Sequence, residues 1–76
     1  MRSVLEVLKG IRPEFDFSTS EDFIADGMLD SFDVITLITE LDQSYGISIA
    51  GTDILPENLK SVAAIHQLLT KYGITP

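Results

Sequence analysis

From Asp30 or Ser31 to Tyr45 the chain carries one uninterrupted helical pattern, and no other feature constrains the fold as much. Val34, Ile38, Leu41 and Tyr45 recur at i, i+4, i+7 and i+11, which sets them on a single stripe of a helix. Ile35 and Leu37 are expected to widen that stripe. Gly46 supplies the stop, because glycine enters the left-handed conformation without a Cβ penalty.

Two further segments share this periodicity, and none reads as a long alternating strand. Val4, Leu5, Leu8 and Ile11 predict a first helix over about residues 2 to 11, stopped by Gly10 and Pro13. Val62, Ile65, Leu69 and Tyr72 predict the inner stripe of a last helix from Ser61 to Tyr72, which Gly73 ends. Residues 13 to 29 make a long connection. Its Phe15, Phe17, Phe23 and Ile24 are too apolar for a free linker, so the loop is expected to pack on the core. "STSE", Ser18 to Glu21, matches a capping box and is expected to open one short helical turn. "ISIAG" reads as buried loop, followed by a brief helical turn from Thr52 to Leu55 before Pro56. The expected architecture is a single all-α domain over residues 1–76. It has three main helices plus a short helical turn, with a long loop between the first and second helices.

A chain of 76 residues buries roughly 60% of its unfolded surface, which leaves little stability for a water-excluding catalytic cleft. A binding, carrier or adaptor role is favoured. The absence of cysteine excludes disulfides, zinc–thiolate sites and thiol catalysis by the chain's own side chains. No run of about 20 apolar residues is present, so no membrane span is expected. "MRSVLEVLKGIRPEF" lacks the pattern of a secretory signal, and a cytoplasmic protein is the expectation. Twelve acidic residues against five basic ones give a formal charge of −7. Such a surface repels phosphate backbones, which argues against nucleic acid as a partner. It favours basic patches on other proteins, although solubility alone accounts for it equally well. Asp26, Asp30 and Asp33 do not follow the alternating ligands and closing glutamate of an EF-hand, so no metal site is assigned.

Ser31 then stands out in "DGMLDSFDVITLI". As a serine at a helix start it is a natural cap, but Asp30 can cap equally well and also suits the positive end of the helix dipole. One of the two is left free. A self-activated serine requires a base oriented by a third group, and the single histidine, His66, lies on the last helix. A small serine hydrolase would need His66 beside Ser31. No catalytic residue is assigned, and Ser31 is read as the substrate of another enzyme. The helix N-terminus favours a phosphate, while Asp30 and Asp33 oppose one unless a metal or a basic partner screens them. On the outward side Phe32, Thr36, Thr39 and Gln43 repeat the helical spacing, with Asp33 and Glu40 alongside. An apolar anchor with a charged rim is a docking surface; the alternative is that Phe32 folds back on the long loop.

"FIADGMLDSFDVITLITELDQSYGISI" resembles the loop, attachment serine and second helix of the acyl carrier protein family. The likeness is close from Phe23 to Ile49 and looser through "ILPENLKSVAAIHQLL". It implies a 4′-phosphopantetheine arm on Ser31, with Asp30 the acidic residue of the same motif. It further implies a phosphopantetheinyl transferase that moves the group from coenzyme A, an acyl- or aminoacyl-activating ligase, and a downstream acyltransferase or synthase. The cargo would be held as a thioester on the arm's thiol. Phe32 in place of the leucine common in carriers of fatty acid synthesis, and a less acidic outer stripe, count against that housekeeping role. "LPENLKSV" is similar to D-alanyl carrier proteins and related free-standing carriers. A monomer in a D-alanylation-like, polyketide-like or other specialised acyl pathway is therefore expected. The alternative is an unmodified interaction module with the same helical framework.

Overall fold

The computed structural model describes residues 3–75. Its α-helices are α1 (Val4–Ile11), α2 (Ser31–Tyr45), α3 (Pro56–Leu59) and α4 (Val62–Lys71). Two 3-10 turns, Phe17–Thr19 and Gly51–Asp53, lie in the connections, and no strand occurs among the described residues. The all-α bundle with a long first loop is observed as expected. Helix α1 packs against α2 and α4, and α3 packs against α4.

Each helix starts where a short polar side chain satisfies an otherwise orphaned N–H, with α3 as the exception. Ser3 Oγ accepts from the Glu6 N–H at 3.2 Å, and Glu6 Oε1 accepts from the Ser3 N–H at 3.3 Å. This reciprocal box opens α1; residue 2, the expected helix start, lies outside the described residues. Ser61 caps α4 by accepting from the Ala64 N–H at 3.1 Å. Helix α3 starts instead on Pro56, whose missing N–H costs nothing in a first turn.

Several expectations need correction. Gly10 is helical, and α1 runs on to Ile11 before Arg12 and Pro13 end it. The turn near Ser18 spans Phe17–Thr19, and its cap is Asp16, which accepts from the Ser18 N–H at 3.1 Å. The expected Ser18–Glu21 box is not formed. The aspartate two residues earlier reaches the backbone first, and Ser18 Oγ donates to the same carboxylate. The turn expected at Thr52–Leu55 before Pro56 is present as the 3-10 turn Gly51–Asp53, and Pro56 opens a further helix. Ile35 and Leu5 are exposed, whereas Val7 and Leu68 are buried. Ile35 falls at the edge of the apolar arc, one residue beyond Val34, and is left 65% exposed.

The core is built from all four helices and both long connections. Val7, Leu8, Leu37, Leu41, Ile65 and Leu69 are fully buried. Phe17 and Phe23 join them from the first loop, stacked edge to face with centroids 5.0 Å apart. The "ISIAG" segment is loop, with Ile49 buried and its N–H donating to Asp42 Oδ1 at 3.0 Å. Gly46 ends α2 at φ 65°, the left-handed stop its position predicted.

Near the chain's end a polar clasp holds the second connection. Tyr72 Oη donates to Asp53 Oδ2 at 2.6 Å and accepts from the Ala50 N–H at 2.8 Å. Lys71 Nζ adds a 2.7 Å ion pair to Asp53 Oδ1. The bonds from Lys71 and Tyr72 hold the Asp53 carboxyl below the ordinary carboxylate range. A depressed native pKa contributes stability above the ordinary value, and that stability is lost as pH falls through the native one. The melting temperature should therefore fall between about pH 5 and about pH 3, and fall less steeply in Asp53→Asn. In the core, Leu37→Ala should cost about 3 kcal/mol in urea denaturation, from lost burial and the cavity left behind.

Candidate functional site

The start of α2 is where the structure brings the singled-out residues together. Asp30 is the N-cap and Ser31 the first helical residue. Asp30 Oδ1 accepts from the Asp33 N–H at 2.8 Å, and Asp33 Oδ2 accepts from the Asp30 N–H at 3.2 Å. With both capping roles filled by the aspartates, the Ser31 side chain is not needed by the helix. Ser31 is exposed, and its hydroxyl makes no hydrogen bond to another described residue. The cap of α2 is therefore Asp30 and not Ser31.

Arg12, from the end of α1, crosses to this point. Its Nε donates to Asp33 Oδ2 at 2.8 Å, and Nη2 stands 3.5 Å from Asp30 Oδ2. A third carboxylate, Glu14, lies 3.6 Å from Nη1. Partial burial pushes the Asp33 carboxyl up. The Asp30 N–H and the guanidinium outweigh that and hold it below the ordinary range. The hydrogen bond from Arg12 to Asp33 in turn raises the guanidinium further.

Beside Ser31 opens an apolar groove of about 500 Å³. Val34 and Ile35 line it from α2, Ile24 and Leu29 from the first loop, and Leu55 and Leu59 from around α3. Ser31 and Asp30 form its polar edge. No histidine lines it, and His66 lies half-buried in the middle of α4.

The expected docking residues divide between two flanks. Phe32 is 79% exposed and does not fold back on the loop. Thr39 is exposed, with its hydroxyl donating to the Ile35 carbonyl at 3.1 Å. Thr36 bonds the Phe32 carbonyl in the same way. Asp33, Thr36 and Glu40, however, line a separate groove against Val7, Gly10 and Ile11 of α1. Asp33 is thus committed to the helix start and to Arg12, with its side chain 13% exposed. Asp26 accepts from the Ser20 hydroxyl at 2.6 Å, whereas Asp30 and Asp33 bond each other's backbone N–H and share Arg12.

Ile35 and Arg12 were missed from the sequence. Ile35, 65% exposed, carried a core signal because it adjoins the apolar stripe of α2, and periodicity does not show where the covering segments stop. Arg12 pairs with a residue 21 positions away, which local pattern cannot show. No described helix is long and apolar enough to cross a membrane. No protein-family model, no curated protein and no solved structure matches this chain.

Proposed function

We propose that this chain is a phosphopantetheine-dependent acyl carrier, with Ser31 as the attachment residue. One observation carries the reading: an exposed serine hydroxyl at the first position of α2, released from capping by Asp30 and set on the rim of an apolar groove. The residues present fit the group. The first-turn N–H groups and the dipole of α2 favour a phosphodiester, Arg12 offsets part of the local acid, and the groove offers apolar cover beside the attachment point.

Attachment makes Ser31 Oγ the nucleophile toward the phosphorus of coenzyme A that bears the pantetheine. An O–P bond forms there and the phosphoanhydride bond breaks. Adenosine 3′,5′-bisphosphate leaves, and the hydroxyl proton passes to a base of the phosphopantetheinyl transferase. The bound arm supplies a terminal thiol, which this cysteine-free chain lacks. The protein itself contributes position. α2 holds Ser31 at its tip, while Phe32 and Ile35 stand exposed in its first turns for partner enzymes. Those partners are the transferase, an acyl- or aminoacyl-activating ligase, and an acyltransferase or synthase. On this reading the chain is a monomeric substrate of enzymes, in a D-alanylation-like, polyketide-like or other specialised acyl pathway. The exposed Phe32 also favours the second reading, an unmodified interaction module.

Incubation with coenzyme A and a broad-specificity transferase, followed by intact mass measurement, separates the two. The carrier gains one phosphopantetheine, and Ser31→Ala gains none. An unchanged mass, or a gain that survives in Ser31→Ala, rejects the carrier and leaves the module.

A further inference from the structure

The reciprocal box at the start of α2 is built from two aspartates, where such boxes ordinarily pair a serine or threonine with a glutamate or glutamine. Two consequences follow. The second carboxylate is one methylene shorter, so it has less reach toward the cap N–H. The two members also carry like charge across one helical turn, which opposes their approach.

Arg12 answers both. Its Nε bond goes to Asp33 Oδ2, the same oxygen that accepts the Asp30 N–H. Its Nη2 faces Asp30 Oδ2, the oxygen not used in capping. One guanidinium therefore spans both halves of the box and reduces the repulsion between them. Among the described residues, Arg12 is the cation in contact with this cap. Without it Asp33 turns to solvent, the Asp30 N–H loses its acceptor, and the first turn of α2 frays. A carboxylate so released is also a ready acceptor for the adjacent Ser31 hydroxyl, which would then be drawn back into local hydrogen bonding.

We propose that Arg12 is a positioning residue for the modification of Ser31, holding the aspartate pair so that the helix start is formed and the serine oxygen stays outside it. The proposal rests on the carrier reading above. It makes a prediction opposite in sign to that of bulk electrostatics. Removing one positive charge takes the formal charge from −7 to −8, which by itself speeds encounter with a basic transferase. Loss of positioning slows the reaction.

The test compares wild type, Arg12→Gln, Arg12→Lys and Lys60→Gln, the last an exposed cation whose side chain lines neither groove, so that it controls for net charge with its backbone carbonyl retained. Loading by the transferase is followed by intact mass, and exchange of the Asp33 and Val34 amides by NMR on the unmodified proteins. Arg12→Gln should lower kcat/KM about tenfold, as expected for loss of a helix start, and should speed exchange at both amides. Arg12→Lys should restore part of each, and Lys60→Gln should load no more slowly than wild type. Equal loading by Arg12→Gln and wild type overturns the proposal and leaves the carrier reading standing. Slowed loading with unchanged amide exchange also overturns it, since Arg12 would then act on the transferase directly. If Arg12→Gln does not fold, the same two measurements on Arg12→Lys decide, with wild-type behaviour in both counting against the proposal. A wild type that never gains the mass removes the carrier reading itself.

Discussion

The four helices alone do not fill the core, and the edge-to-face pair Phe17 and Phe23 completes it. Both rings come from the long first connection and are buried among residues of the helices. Phe15 stands edge-on to Phe17 at 6.2 Å, extending the aromatic cluster toward the surface. Because the loop is anchored by this burial, its far end is fixed where α2 must begin. The location of Asp30 and Ser31 follows from that, as does the side of α2 that faces Leu29 and Ile24. A domain of this size has few kcal/mol to lose, so a loop that contributes to the core cannot also be free.

Charge acts at the ends of the elements and not within the core. Among the described residues every fully buried side chain is apolar, and the Arg12–Asp33 and Lys71–Asp53 pairs lie where one element meets another. Arg12 joins the end of α1 to the start of α2, and Lys71 joins the end of α4 to the 3-10 turn before α3. With their cations open to solvent, pairs of this kind contribute modest energy each. Their effect here is geometric, since each fixes the angle at which a chain segment enters or leaves a helix.

Periodicity made the helices legible. α2 and α4 begin and end within one residue of expectation, since Asp30, Gly46 and Ser61 are local signals acting on their own backbone. The first loop's aromatics were legible as core because nothing else explains three phenylalanines in a connection. The misreadings share a different cause. Ser18 and Glu21 have the right spacing, but Asp16 competes for the same backbone and wins, while Ser3 and Glu6 form the box that the same spacing also allows. Ile35 was read as core because it is an apolar residue beside the stripe, and which segments cover that edge of α2 is decided elsewhere in the chain. At the candidate site Ser31 and Asp30 were legible, since one residue is the other's neighbour. Arg12 and the groove were not, because each requires knowing which distant segments meet.

The peptide unit of Phe23 links parts of the molecule that look independent. Its N–H donates to the Lys60 carbonyl at the end of α3, and its own carbonyl accepts from the N–H groups of Met28 and Leu29. The loop wall of the groove and the α3 wall are thus tied through a single buried residue. Phe23 does not line the groove itself, yet its burial sets the spacing of two of the groove's walls, so the shape beside Ser31 depends on a side chain that nothing entering there would touch.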